Sequence, residues 1–298
     1  MRDVVIIGSG PAGLSAALYA KRANLDALVI EKDFQGTGQI AESAQVDNYI
    51  GLCGINGFDL GEKFRSDAEK FGAEFYEGKA LKIELQNGVW RTFFENEIIE
   101  SRTVIYAAGA VHRKLNVPGE EKFIGRGVSF CAVCDGALYR GKTAAVIGGG
   151  DTALDDALYL SELAEKVYLI HRRNEFRGSE KSVSKIRSKE NIEIITPANV
   201  LEIIGKNRVN SIKLDNGREL PLDGIFIAVG MSPATDLVKN IVELDGGGYI
   251  RADETGITNA PGFFAAGDVR TKKLRQVVTA VSDGANAAFS AIEYLKNN

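Results

Sequence analysis

Short unbroken apolar runs that end on glycine recur along this chain. Residues 3–7 (Asp-Val-Val-Ile-Ile) stop at Gly8 and are too few for a helix, so they predict a buried parallel strand. Gly8-Ser9-Gly10-Pro11-Ala12-Gly13 then opens a helix to Arg22, and a second apolar run at 26–30 predicts the next strand. Strand, glycine turn, helix and strand make a βαβ unit. The same order returns at Thr143–Ile147, Gly148-Gly149-Gly150-Asp151-Thr152-Ala153, a helical stretch to Ala164, and Lys166–Ile170.

The repeat continues past the turns. Each copy runs into β-prone ribbon segments, 81–95 and 201–214, and then into a strand ending in small residues, Ala107-Ala108-Gly109 and Ala228-Val229-Gly230. A third such end, Phe263-Phe264-Ala265-Ala266-Gly267-Asp268, lies near the C-terminus. The pattern predicts an α/β chain of two Rossmann-like, three-layer nucleotide-binding domains with β-ribbon insertions. Proline and glycine cluster at 113–119 and 243–248, which are the expected hinges.

Each glycine turn has the context a dinucleotide needs. The first glycine permits a tight turn, the second lets backbone approach a pyrophosphate, and the third (Gly13, or Ala153 in the second copy) lets helix and strand pack closely. The alternative is a doubly wound turn that binds nothing. The residues at the end of the next strand separate the ligands. Glu31 ends the strand after the first turn, where a carboxylate accepts ribose hydroxyls and repels a 2′-phosphate, so that site suits FAD or NAD. At the matching place after the second turn stand His171-Arg172-Arg173, with Arg177 beyond, and guanidinium forks suit the 2′-phosphate of NADP. A solvated charged turn is the plainer reading of those arginines.

Composition narrows the classes further. The 298 residues suffice for two cores without covalent staples. Lys+Arg 36 against Asp+Glu 40, a net charge of −4, gives no basic footprint for nucleic acid. No run approaches the roughly 18 apolar residues of a membrane span, and residues 4–7 are far shorter than a signal-peptide core. A cytoplasmic protein with neither membrane nor nucleic-acid partner is expected.

Three cysteines cannot build a secreted disulfide scaffold. Two of them form Cys131-Ala132-Val133-Cys134-Asp135-Gly136, a spacing that suits a reversible disulfide across one turn. Zinc would need four ligands, and the chain offers only Cys53, His112 and His171 besides the pair, so no metal is expected. Asp135 can carry the proton that thiol–disulfide exchange moves; a turn or capping aspartate is the alternative. Cys53 is expected to be a packed, passive thiol and His112 a structural residue.

Two dinucleotide units, a C-x-x-C-D between them, H-R-R-x-x-x-R and a terminal G-x-F-A-A-G-D together resemble the low-molecular-weight thioredoxin reductases. Thr37-Gly38-Gln39, Asp47-Asn48-Tyr49, Val117-Pro118-Gly119-Glu120 and Arg275-Gln276-Val277 extend the resemblance over essentially the whole chain. It implies a discontinuous FAD domain, 1–113 plus 244–298, and an inserted NADPH domain, 114–243, that carries the cysteines. Gly8, Gly10, Pro11, Ala12, Gly13, Glu31, Gly38, Gln39, Asn48, Ala108, Gly109, Gly267 and Asp268 would then surround FAD, with Arg275, Gln276 and Val277 along its ribityl chain and ring. Gly148, Gly149, Gly150, Asp151, Thr152, His171, Arg172, Arg173 and Arg177 would hold NADPH. Cys134 would face the flavin, Cys131 would attack a thioredoxin or thioredoxin-like disulfide, and Asp135 would be the acid–base. A homodimer and a rotating NADPH domain are part of the same implication.

Some positions depart from that pattern. Ile50 replaces the proline of N-Y-P-G, Val133 the usual threonine, Asp155-Asp156 a common glutamate pair, and Gly178 the usual alanine. A glutamate of that pair commonly approaches the nicotinamide, so the shorter aspartates leave ferredoxin or NADH as alternative donors, although the retained arginines argue against ferredoxin; a different disulfide protein is a separate alternative for the acceptor. The larger disulfide reductases are disfavoured because Gly36-Thr37-Gly38-Gln39 stands where their C-x-x-x-x-C would fall.

Overall fold

The computed structural model describes residues 1–32, 36–43 and 45–298. They form two compact units, Met1–Val111 with Ser232–Asn298, and His112–Met231.

In the discontinuous unit, Arg2–Ile7 lies between Ala27–Glu31 and Ile98–Tyr106, parallel to both, and Glu74–Glu77 and Phe263–Ala265 extend the parallel core. The ribbon Lys82–Gln86 and Val89–Phe93 joins antiparallel to Ile98–Tyr106, completing a seven-stranded sheet. Successive strand residues face opposite sides. Val4 and Ile6 therefore pack with Ala16, Ala20, Ala287 and Ala291 of the helices Pro11–Arg22 and Val277–Asn297. Val5 and Ile7 pack on the other side with Trp90, Tyr106, Phe263 and Val238. The small residues have a purpose: a Cβ on Gly284 would lie 2.0 Å from the Ala12 carbonyl oxygen, so the two helices touch backbone to backbone.

The inserted unit has a five-stranded parallel sheet in the order Ile192–Ile195, Lys166–Ile170, Thr143–Ile147, Gly224–Ile227, Val128–Ser129. Ala144, Val146, Val167 and Leu169 bury the helix Asp151–Ser161 through Ala153, Leu154, Ala157 and Leu160. The opposite face, with Ala145, Ile147 and Ile225, carries the antiparallel Val200–Gly205, Val209–Leu214 and Glu219–Pro221 through Ile203, Ile212 and Leu220.

The crossings between units fall elsewhere than the clustered glycines and prolines suggest. They lie at Val111/His112 and Met231/Ser232. Gly119 is clamped inside its own unit: a Cβ there would sit 2.0 Å from the Ile203 carbonyl oxygen, and buried Glu120 accepts the Leu115 and Asn116 N–H groups. Residues 245–249 form a tight turn in which Asp245 Oδ1 accepts from the Gly247 and Tyr249 N–H groups. Val238 and Val242 pack in the core of the discontinuous unit, and the Tyr106 hydroxyl donates to the Ala234 carbonyl, which assigns residues 232–243 to that unit.

Candidate functional site

The first glycine turn is built by close backbone contact. Gly8 has φ +111°, and a Cβ on it would meet the Ala107 carbonyl oxygen at 2.5 Å; a Cβ on Gly13 would meet the Gly8 oxygen at 1.8 Å. The turn therefore lies against the strand end Ala107-Ala108-Gly109. The helix beginning at Pro11 has Gly10 as its N-cap, no side-chain cap and no acidic residue in its first turn. No side chain of its own caps its leading N–H groups, an arrangement that with the positive end of the dipole suits an anion. Two distant segments converge here. A Cβ on Gly38 would lie 2.9 Å from Gly10 Cα, and one on Gly267 would lie 2.9 Å from Ala12 Cβ. Exposed Gln39 thus stands beside the turn, and Asn48 Nδ2 donates to Gln276 Oε1 at 2.8 Å, joining two further residues of the expected set. The Arg275 guanidinium lies 4.1 Å over the Tyr249 ring.

Asp268, next to Gly267, has a buried Oδ1 with no hydrogen-bond partner. Burial, opposed by Lys272 and Arg275, pushes its carboxyl above the usual carboxylate range. Native proteins leave few such atoms unpaired, and a hydroxyl-bearing ligand at this turn would satisfy it. Glu31 is also buried, and its two oxygens are held by the fork of Arg65, Nη1 to Oε2 at 2.6 Å and Nη2 to Oε1 at 3.2 Å. A carboxylate keeps further acceptor positions beyond those two.

The second turn repeats the first. A Cβ on Gly148 would lie 2.3 Å from the Ala228 carbonyl oxygen, as Gly8 lies against Ala107. Gly150 is the N-cap of Asp151–Ser161, without a side-chain cap and with open space beside it. The carboxylate of Asp151 is drawn aside, since its Oδ1 accepts the Ser179 N–H at 2.7 Å; Thr152 is exposed at the same helix start. Arg177 N donates to the Gly149 carbonyl at 2.6 Å, which folds the arginine loop onto the turn. Glycine at 178 is what permits this, because a Cβ there would come within 2.5 Å of Leu154 Cδ1 and 3.0 Å of Asp151 N.

Arg172, Arg173 and Arg177 are exposed, whereas His171 is buried under the turn. A Cβ on Gly149 would strike its ring at 2.4 Å, it stacks on Phe176, and its Nε2 has no partner. Burial first, then Arg177 and Arg172, holds its pKa below the ordinary histidine value, so it is a neutral floor to the turn rather than a fourth cation. On the helix Asp151–Ser161, burial and neighbouring Asp155 push Asp156 to about 7.

The cysteine pair lies in the inserted unit. Cys131 and Cys134 are disulfide-bonded with Cα atoms 5.3 Å apart, Cys131 half-buried and Cys134 exposed. Cys131 is the N-cap of the short helix Ala132–Asp135, and the Asp135 N–H donates to its carbonyl. The Ser129 hydroxyl donates to Asp135 Oδ2 at 2.6 Å and accepts the Cys131 N–H at 3.1 Å. Cys53 departs from expectation: it is exposed, on a surface loop where its thiol donates to the Asp47 carbonyl at 3.1 Å. His112 is half-buried and stacked on Phe130. Among the described residues no His/Cys/Asp/Glu group could hold a metal, and no helix is long and apolar enough to cross a membrane.

Sequence reading missed Ser129, Arg65 and Asp283. Asp283 Oδ2 accepts the Gly267 N–H at 3.0 Å, and its carboxylate binds Arg270 at 2.6 Å and Lys272 at 2.8 Å behind the Asp268 turn. A signal existed for the last two. Arg65 and Asp283 occupy core-facing positions of their helices, in register with Leu60, Gly61 and Ala68 and with Ala280, Gly284 and Ala287. A charge at an inward position needs a buried partner.

The pyridine nucleotide-disulphide oxidoreductase family model matches residues 2–284. A thioredoxin reductase of Listeria innocua is 44% identical, covering 99% of this chain and 94% of its own length. The crystal structure of the thioredoxin reductase of Streptococcus pyogenes is 40% identical, with a TM-score of 0.94 over 100% of this chain and 99% of the other. The thioredoxin reductase of Giardia duodenalis is 37% identical, with a TM-score of 0.93 and 99% of both chains covered.

Proposed function

The chain belongs to the pyridine nucleotide-disulphide oxidoreductases, among the thioredoxin reductases, and on that premise we propose that it passes electrons from NADPH, through FAD and the Cys131–Cys134 pair, to a thioredoxin-like disulfide. The observation that carries this reading is the bonded pair with Asp135 in its turn, in the same unit as a glycine turn bonded to the Arg177 N–H, with Arg172, Arg173 and Arg177 exposed.

Bound flavin would supply the two-electron relay between nicotinamide and disulfide. This chain's residues position and select. The Gly8–Gly13 turn and the start of its helix would hold the FAD pyrophosphate, Glu31 would accept adenosine hydroxyls, and Asp268 would give its unpaired oxygen to a cofactor hydroxyl. Gly38, Gln39, Asn48, Ala108, Gly109 and Arg275–Gln276–Val277 would line the remainder. The Gly148–Gly150 turn would hold the NADPH pyrophosphate, and Arg172, Arg173 and Arg177 the 2′-phosphate. Cys134 would take electrons from the flavin side and Cys131 would attack the acceptor.

The paired aspartates 155 and 156 make the donor the point to test. Anaerobic titration with NADPH, NADH or reduced ferredoxin, monitored by flavin bleaching, should show NADPH bleaching the flavin at lower concentration than NADH. Bleaching by ferredoxin and not by NADPH would remove NADPH as donor and leave the dithiol chemistry standing.

A further inference from the structure

Reduction of the Cys131–Cys134 bond takes two electrons, supplied through the flavin, and one proton to give a thiol and a thiolate. The carrier of that proton is held from the sheet. Ser129 is the last residue of Val128–Ser129, which pairs parallel with Gly224–Ile227 through Ile225↔Val128 and Phe226↔Ser129. The Ile225 N–H also donates to the Gly127 carbonyl at 2.7 Å, so this edge strand is tied to its neighbour from the residue before it onward. Ser129 is 6% exposed. From that fixed place its hydroxyl reaches Asp135 at 2.6 Å while its oxygen takes the Cys131 N–H at 3.1 Å. One side chain thus joins the carboxylate to the backbone of the cysteine whose sulfur is exchanged.

We propose that Ser129 is a positioning residue for the dithiol chemistry: it anchors the Asp135 carboxylate and the start of the cysteine turn to the central sheet of the inserted unit. The inference rests on the reading of Asp135 as acid–base. The geometry has a directional consequence. A hydroxyl has one proton to donate, and the Asp135 Oδ2 contact at 2.6 Å is much shorter than the other acceptor in reach, the Cys131 carbonyl at 3.4 Å, so Oδ1 is the carboxylate oxygen that Ser129 does not engage. The short helix Ala132–Asp135 cannot fix that orientation by itself, because four residues make little more than one turn. A carboxylate must lie within hydrogen-bond reach of the proton it moves, and a hydrogen bond to a group embedded in a sheet maintains that reach while the cysteines change partners.

The test uses the holoenzyme and three variants, Ser129→Ala, Asp135→Asn and the double variant. Flavin bleaching by NADPH reads the step before the disulfide, and thioredoxin turnover reads the step after it. Ser129→Ala should lower thioredoxin kcat by about tenfold, leaving KM for thioredoxin and the NADPH bleaching rate within about twofold of wild type. Because serine acts through the carboxylate, the double variant should be no slower than Asp135→Asn alone. Wild-type kcat in Ser129→Ala overturns the inference. So does a double variant slower than Asp135→Asn by the full Ser129→Ala factor, which is what an independent structural effect gives. An Asp135→Asn enzyme at wild-type turnover would instead strike down the acid–base reading itself.

Discussion

Arg65 Nη1 meets Glu31 Oε2 at 2.6 Å, and both side chains are buried. The same guanidinium donates through Nε to Glu69 at 2.9 Å and lies 3.9 Å over the Phe75 ring. The carboxylate expected to recognise adenosine is thus neutralised by a partner from the helix Gly57–Lys70 and held in one orientation. Removing one member of a buried pair leaves an uncompensated charge, which costs about 3–5 kcal/mol. Arg65→Met should therefore lower unfolding stability by that order, and adding Glu31→Gln should recover part of the loss. Chemical denaturation of the two variants measures it; equal stability of the single variant and wild type would show that the pair contributes little.

Asp156 makes stability depend on pH in a direction fixed by its environment. Its folded pKa, about 7, lies above the ordinary aspartate value because burial and Asp155 disfavour its charged form. The folded chain therefore binds this proton more tightly than the unfolded chain, and stability falls as pH rises from about 4 to about 7. One pKa unit corresponds to about 1.4 kcal/mol, and partial exposure reduces the total to about 2 kcal/mol. Asp156→Asn should raise Tm at pH 8 and leave it nearly unchanged at pH 4. A gain of the same size at both values would place the effect elsewhere.

Much of the nucleotide-binding architecture is legible in the chain because glycine leaves little choice. Gly8 and Gly148 lie against Ala107 and Ala228 in the same way, so small-residue strand ends and glycine turns read as one repeated unit. The crossings are harder to read. Glycine and proline at 113–119 signal a break in regular structure, yet Gly119 is packed on Ile203 and the chain changes unit at Val111/His112. Local composition reports backbone freedom and does not report which tertiary contact removes it. His171 shows a similar limit: its place in H-R-R is visible, but not that the ring lies beneath Gly149 while the arginines face outward. Ser129 leaves no trace in periodicity, because its importance comes from a strand end meeting a carboxylate six residues on.

The arginine loop predicts nucleotide selectivity. Arg172, Arg173 and Arg177 are exposed, the Arg177 N–H is bonded to the Gly149 carbonyl of the turn, and the Asp151 carboxylate at the helix start is engaged with the Ser179 N–H. Arg172→Ala should weaken NADPH binding by about tenfold or more, the scale of one charge-assisted pair, and leave NADH within about twofold. Steady-state KM for the two nucleotides, with thioredoxin saturating, gives the comparison. Equal weakening of both would mean that the loop supports the turn and does not read the 2′-phosphate.

On the proposed reading, electrons reach the acceptor through Cys131–Cys134 and by no other route. Wild type and Cys134→Ser, compared under anaerobic conditions, separate the two halves of that path when flavin bleaching by NADPH and reduction of an oxidised thioredoxin are recorded in the same samples. Bleaching at the wild-type rate with thioredoxin reduction lowered at least about a thousandfold is the expected result. Thioredoxin reduction persisting near the wild-type rate in the variant would contradict that route.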